Sequence, residues 1–133
     1  MIKTPLFKKA FTLLFVVGFL NYIAIKFYLY WTVWWFDMIV HFLAGVTIGL
    51  AVVSVLFYKR NFSAENLLRA LSMSVLAAII IGLLWEIYEL VFSITFLSDG
   101  AVYVRDTLSD IIMDMTGGFF GALYGFKLFK KRK

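Results

Sequence analysis

Residues 67–97 read LLRALSMSVLAAIIIGLLWEIYELVFSITFL, an apolar run in which only Arg69, Glu86 and Glu89 are charged. A helix needs about 20 consecutive, mostly apolar residues to cross the hydrocarbon core of a bilayer. This run is longer than that requirement, and a soluble domain of this size could not easily bury it. We therefore predict that it forms a membrane-spanning helix.

Three further apolar runs give the chain its predicted architecture. Of the 133 residues, 63% are hydrophobic, and the mean hydropathy is +0.92. We predict an all-α, polytopic membrane protein with one domain over residues 1–133. Asp37 and Asp106 could each cap the helix that they begin, and residues 98–100 are typical of a turn. The four predicted transmembrane helices cover about residues 6–30, 37–58, 67–97 and 106–129.

The basic residues indicate how the helices are oriented. The net charge is +5, and all basic residues except Lys26 and Arg105 lie within residues 3–9, 59–69 and 127–133. Four spans would place these clusters and both termini on one side, which the positive-inside rule assigns to the cytoplasm. We therefore predict a cytoplasmic (inner) membrane protein with N-in/C-in topology. Because membrane topology explains the basic clusters, we expect the lipid bilayer as a partner and no nucleic acid.

Six of the eight acidic residues and the single histidine fall within the predicted helices or at one end of them. An ionisable side chain at the bilayer centre costs about 2.5–3.5 kcal/mol on insertion scales, so these groups are expected to face inward. Spacings of three or four residues place them on one face of each helix. We predict that they meet in the outer half of the membrane. The seven residues are Asp37, His41, Glu86, Glu89, Asp106, Asp110 and Asp114.

These seven side chains are the predicted metal ligands. Several carboxylates at close range cannot all remain ionised without a cation, so they either share protons or bind a divalent metal. Carboxylate oxygens with one imidazole suit Mg²⁺, Mn²⁺, Zn²⁺, Fe²⁺ or Ca²⁺. The chain has no cysteine, which excludes thiolate ligands and disulfides. Glu86 and Glu89 are also the candidate catalytic bases. The alternative to a metal site is a purely structural hydrogen-bonded network, in which His41 links two helices by a hydrogen bond.

Arg105 is the basic residue beside this group, and it has two interpretations. It could be a counter-ion to Asp99 or Asp106. It could instead bind a substrate anion, because a guanidinium pairs well with phosphate. Trp85 is interpreted as core filler or as a lipid-facing side chain.

The order and spacing of these motifs resemble a known group of small multi-pass proteins, the VanZ-like family. The resemblance covers about residues 37–125 and rests on Asp37-x-x-x-His41-Phe42, a later acid pair, and Arg105-x-x-x-x-Asp110-x-x-x-Asp114-x-x-Gly117. That family has Gln near the Glu89 position and Asn at the Asp114 position. Trp85-Glu86-x-x-Glu89 together with Asp106 looks closer to the related YjdF-like inner-membrane proteins. The resemblance implies a polytopic bacterial or archaeal membrane protein and no particular reaction.

Three classes of function remain open from the sequence. The first is a metal-dependent hydrolase or transferase acting on lipid or lipid-linked phosphate at the outer leaflet. The second is a proton or metal-ion transporter, which would need a homo-oligomer because one four-helix protomer is small for alternating access. The third is a non-catalytic module that binds lipid or a partner protein.

Overall fold

The computed structural model of the protein describes residues 5–58 and 66–131, which form helices joined by short connections. The predicted all-α class is confirmed. The helices are α1 (Pro5–Lys26), α2 (Leu29–Thr32), α3 (Phe36–Tyr58), α4 (Leu67–Val91) and α5 (Ala101–Lys130), with a 3-10 turn at Leu97–Asp99.

Three of these helices, α1, α3 and α4, are long and apolar enough to cross a membrane. Helix α5 is the longest, at 30 residues, but its first half carries Arg105, Asp106, Asp110 and Asp114. Large apolar side chains cover much of the outer surface; Phe15 is 73% exposed and Leu84 is 59% exposed. Such a surface suits a hydrocarbon solvent better than water.

The predicted bounds of the first and third helices were too long. Helix α1 ends at Lys26 rather than at residue 30, because Tyr28 has a left-handed backbone with φ 57°. Helix α4 ends at Val91 rather than at residue 97, because Ser93 has φ 56° and the amide of Ile94 bonds to the Glu89 carbonyl at 2.9 Å. This six-residue closure terminates helices. Both apolar runs continue past the helix ends, because the hydropathy of a residue reflects whether it lies in lipid and does not depend on whether its backbone is helical.

The alternative interpretation of Asp37 and Asp106 as helix caps was also wrong. Helix α5 begins at Ala101, with Gly100 at φ 58° as its cap, so Asp106 lies inside the helix. Helix α3 begins at Phe36, which puts Asp37 in its first turn. The first five residues of α5 were predicted as part of the connection, because Val and Tyr have low helix propensity and Arg105 interrupts the apolar sequence.

Helices α3 and α5 make the most extensive contact in the bundle, and glycine makes it possible. A Cβ added at Gly45 would overlap the backbone carbonyl oxygen of Asp114, and one added at Gly117 would overlap that of Phe42. Only glycine permits backbones to approach this closely, as in small-residue packing of membrane helices. Helix α4 packs on both α3 and α5, and α1 packs on α3.

The bundle has a different interior at each end. At one end, Leu6 of α1 and Phe126 of α5 share an apolar core with residues of α3 and α4, such as Val53 and Ala70. The buried acidic residues and His41 lie in the opposite halves of α3, α4 and α5. The antiparallel order of the helices thus separates an apolar end from a polar end.

Candidate functional site

Six of the predicted site residues come together around one imidazole ring. We call this group the carboxylate–histidine cluster. Helix α3 contributes Asp37 and His41, α4 contributes two glutamates, and α5 contributes two aspartates. All are buried except Asp37, whose side chain is 16% exposed. The cluster comprises Asp37, His41, Glu86, Glu89, Asp110 and Asp114.

His41 lies at the centre of the cluster and is only 4% exposed. Its Nδ1 atom is 3.0 Å from Oδ2 of Asp114. Its Nε2 atom lies 3.5 Å from Oδ1 of Asp37 and 3.9 Å from Oδ2 of Asp110. Those two distances are long for hydrogen bonds, and within the described residues Nε2 has no hydrogen-bond partner. Asp114 therefore orients the ring and leaves Nε2 directed towards the other carboxylates.

A glycine of α4 makes room for this arrangement. A Cβ added at Gly82 would lie 2.5 Å from Oδ2 of Asp114, the same oxygen that contacts His41. Gly82 is also one turn before Glu86 on the inward face of α4. The small residue thus lets the Asp114 carboxylate reach the ring between the helices.

Each glutamate of α4 is held at one oxygen by an uncharged donor. The hydroxyl of Thr107 donates to Oε2 of Glu86 at 2.7 Å. The indole Nε1 of Trp85 donates to Oε1 of Glu89 at 2.9 Å. The other oxygen of Glu86, Oε1, is buried and accepts no hydrogen bond from any residue that the structure describes. One carboxylate oxygen of Glu86 is thus fixed, and the other is available to a ligand.

Neither Trp85 nor Thr107 was among the predicted site residues; Trp85, interpreted as core filler or lipid-facing, is half-buried and also donates to Glu89. Helical spacing contained a signal for both. Trp85 precedes Glu89 by one turn, and Thr107 precedes Asp110 by three residues on the inward face of α5. The two residues were not selected because an indole or a hydroxyl in a membrane helix is usually unrelated to ligand binding.

Among the residues that the structure describes, three sets of side chains have ligand atoms close enough to share an ion. Within each set, one ligand atom from each residue lies within 4.8 Å of the others. Asp114 belongs to none of the three; its contact with Nδ1 is instead the usual support for a metal-binding histidine. The sets are His41, Glu86 and Asp110; Asp37, His41 and Glu89; and Asp37, Asp106 and Asp110.

Arg105 and Asp106 are exposed at the outer edge of the cluster. They line a cavity of about 350 Å³ together with Trp34, Asp37 and Asp110. Arg105 forms no ion pair with any residue in the described ranges 5–58 and 66–131, which gives the counter-ion interpretation no support. We call this opening the rim cavity.

A second polar contact lies beside the cluster, at the junction of α1 and α2. The hydroxyl of Tyr30 donates to Oδ1 of Asn21 at 2.6 Å. Burial raises the pKa of the Tyr30 phenol, and the nearby Asp37 carboxylate adds to that effect. The hydroxyl therefore stays protonated and remains a donor.

These features define an all-helical membrane protein with a buried carboxylate–histidine cluster at one end of its bundle. The sequence profile of the family described as "Predicted membrane protein (DUF2238)" matches residues 2–131, so the chain belongs to that family. No curated protein and no solved structure matches the chain.

Proposed function

We propose that the protein binds a divalent cation in the carboxylate–histidine cluster and uses it to hydrolyse or transfer the phosphate group of a lipid or lipid-linked substrate. The observation that carries the proposal is a pair of ligand atoms. Nε2 of His41 and Oε1 of Glu86 are both buried and lack hydrogen-bond partners among the described residues. Both side chains belong to the same potential ligand set, together with Asp110.

A purely structural network explains these two atoms less well. Leaving a buried polar atom without a hydrogen bond costs about 1–3 kcal/mol, so structural networks generally pair their members. A cation between Nε2 and the carboxylates would supply the missing partner of both atoms. It would also offset the repulsion among the acids, which have His41 as their only potentially basic neighbour inside the cluster. Mg²⁺, Mn²⁺, Zn²⁺, Fe²⁺ and Ca²⁺ all remain candidates.

The remaining residues can be given roles in phosphate chemistry. A bound divalent cation lowers the pKa of its water and offsets phosphate charge. Glu89, positioned by Trp85, is the proposed general base, and Glu86 is the proposed ligand. Arg105 faces the rim cavity without an ion pair among the described residues, and there it could bind the phosphate oxygens.

We further propose that α5 is a fourth membrane span. Its 30 residues correspond to about 45 Å, and its polar half packs against α3 and α4. The basic clusters support cytoplasmic termini, which would put the cluster in the outer half of an inner membrane. The VanZ-like and YjdF-like resemblance is compatible with this topology and stays a prediction.

Transport of protons or metal ions has weaker support. Gly45, one turn below His41, lies in the backbone contact between α3 and α5, and this contact leaves no room for an ion between the two helices. A transport path would have to follow α4 instead. Flux through proteoliposomes that depends on Glu86 would favour transport over hydrolysis.

Bound metal is the first test. We would purify the protein in detergent, load it separately with each of the five divalent ions, and measure bound metal by elemental analysis. We expect stoichiometric metal in the wild type and loss in His41→Ala and Glu86→Gln. Asp99→Asn is the matched control, because Asp99 is an exposed acid outside the cluster. Absence of metal from the wild type with every ion would refute the proposal.

Turnover is the second test, measured as inorganic phosphate released from phosphatidate in mixed micelles. We expect Glu86→Gln and Asp110→Asn to abolish release while the helical circular dichroism spectrum is unchanged. Arg105→Gln should retain the metal and weaken substrate binding. Full activity in Asp110→Asn would contradict the proposed role. Metal binding without any turnover would favour the transport or non-catalytic alternatives.

A further inference from the structure

A second opening reaches the cluster from the side of the bundle. It is a cleft of about 200 Å³ between α1, α3 and α4, and we call it the lateral cleft. Val17 and Gly18 of α1, Ile48 of α3 and Ile81 of α4 form part of its apolar wall. From Val40 to Ile48 the cleft follows α3 for about 12 Å. In a helix that spans the membrane, such a stretch lies within the hydrocarbon core.

The inner end of the lateral cleft is polar because it is formed by the cluster itself. His41 and Asp114 line the cleft, whereas Asp37 and Asp110 line the rim cavity. His41 lies 3.5 Å from Asp37 and 3.9 Å from Asp110 through its other nitrogen. The cluster therefore lies between an apolar cleft, deeper in the bundle, and a polar cavity at its end.

We propose that the lateral cleft binds one hydrocarbon chain of an anionic membrane lipid whose headgroup occupies the rim cavity. The inference rests on the proposed function and names the substrate class of the same site. A lipid with its chain in the lateral cleft and its headgroup in the rim cavity would have the junction between chain and headgroup beside the cluster. Arg105 is the positive side chain of the rim cavity, and the proposed cation would offset the charge of Asp37, Asp106 and Asp110 there, so that an anionic headgroup can bind.

The size of the lateral cleft limits its occupant to a single chain. An apolar cavity of about 150 Å³ admits a benzene-sized molecule, so about 200 Å³ admits a segment of one chain and not a pair. Leu14, Gly18 and Ile81 of the cleft wall are exposed, so the cleft is open on the side of the bundle that would face lipid. A water-soluble phosphate ester would use the rim cavity alone and leave the lateral cleft to bulk lipid.

Two positions allow the lateral cleft to be filled from opposite walls. Gly18 faces open space, since a Cβ built there has no other atom within 4 Å. Gly18→Leu therefore adds bulk at the wall of the cleft with no clash at its Cβ. Ala44→Leu adds bulk from α3, because Ala44 also lines the cleft. Leu84→Phe is the control, because Leu84 is 59% exposed on α4 outside the cleft.

Trp85 provides the readout, because its indole lies in the wall of the lateral cleft. The exposed Trp31, Trp34 and Trp35 are replaced by Phe, which leaves Trp85 as the only indole. The probe is lysophosphatidate with a dibrominated stearoyl chain, added to protein in bromine-free detergent micelles. Bromine quenches tryptophan fluorescence on contact, so quenching of Trp85 reports a chain inside the cleft.

We expect quenching that saturates at about one probe per protein in the parent and in Leu84→Phe. In Gly18→Leu and Ala44→Leu the half-saturating concentration should rise by about tenfold, since the new side chain excludes about two methylene groups. Quenching that rises without saturation, or that is equal in Gly18→Leu and Leu84→Phe, would overturn the inference.

Bound metal measured on the same preparations separates the two proposals. Metal binding with unsaturable quenching would overturn the single-chain site and leave the proposed function standing. Saturable quenching without metal would refute the metal-dependent function and leave a lipid-binding cleft beside a metal-free cluster.

Discussion

The contact between α3 and α5 can be tested with a single methyl group at Gly45. A Cβ at this position would lie 2.9 Å from the amide nitrogen of Gly118 and would overlap the carbonyl oxygen of Asp114. Ordinary van der Waals contact begins at 3.4 Å. The overlap with the carbonyl oxygen is the tighter of the two contacts, so Gly45→Ala requires the two backbones to separate by about 1 Å.

The cost of this separation can be estimated from the contact that it disrupts. Opening a packed interface by about 0.5–1 Å forfeits roughly a quarter to a half of the dispersion energy of the atoms involved. Overpacking a well-packed interior costs about 1–3 kcal/mol. We expect the free energy of unfolding of Gly45→Ala to fall by that amount relative to a control that carries the same substitution elsewhere.

Gly18→Ala is that control, because the added methyl group contacts nothing. Both positions lie within helices, so the gain in helix propensity from Gly to Ala is shared. The assay is reversible unfolding in mixed micelles with increasing dodecyl sulfate, followed by circular dichroism. Equal stability of Gly45→Ala and Gly18→Ala would refute the backbone contact that we describe.

The same substitution should disturb the cluster. The Asp114 carbonyl is the atom that Gly45→Ala displaces, and the Asp114 carboxylate holds His41 at 3.0 Å. We therefore expect weaker metal binding in Gly45→Ala and unchanged metal binding in Gly18→Ala. A destabilised variant with wild-type metal affinity would show that the packing and the cluster are independent.

Three further substitutions test individual hydrogen bonds. Thr107→Val removes the donor to Glu86 and should weaken metal binding by about 10- to 100-fold in a competition titration. Thr116→Val on the same helix is the control and should have no effect. Equal metal affinities of the two variants would contradict a supporting role for Thr107. Trp85→Phe removes the donor to Glu89 and should lower turnover by a similar factor, and unchanged turnover would exclude Glu89 as the positioned base. Tyr30→Phe should cost about 0.5–1.5 kcal/mol of unfolding free energy with metal binding retained, and loss of metal would extend the cluster to Tyr30.

Much of the architecture was predictable because lipid imposes a strong constraint on composition. The part of an apolar run that crosses hydrocarbon, such as residues 67–91, must be helical to satisfy its backbone groups. Spacing of three or four residues then assigned the inward face, and the structure does place His41, Glu86 and Asp110 together. The exact helix ends were not predictable, since Tyr28 and Ser93 take left-handed conformations without glycine.

The candidate site was only partly predictable, for a different reason. Residue type and spacing predicted Asp106 and Asp114 equally as site residues. In the structure Asp106 lies at the exposed edge of the cluster, whereas Asp114 is buried against His41. The donors Thr107 and Trp85 carry no charge, so no energetic argument from the sequence required them to face inward.

The sequence by itself determined that the protein lies in lipid, that it is helical, and on which helix faces its ionisable groups lie. These follow from the energies of single residues in lipid and from the helical repeat. Only the tertiary structure decided which nitrogen of His41 is already engaged, which oxygen of Glu86 is left without a partner, and where the lateral cleft meets the cluster. Those properties depend on how closely α3, α4 and α5 approach one another, and that approach is set by contacts between residues far apart in the chain.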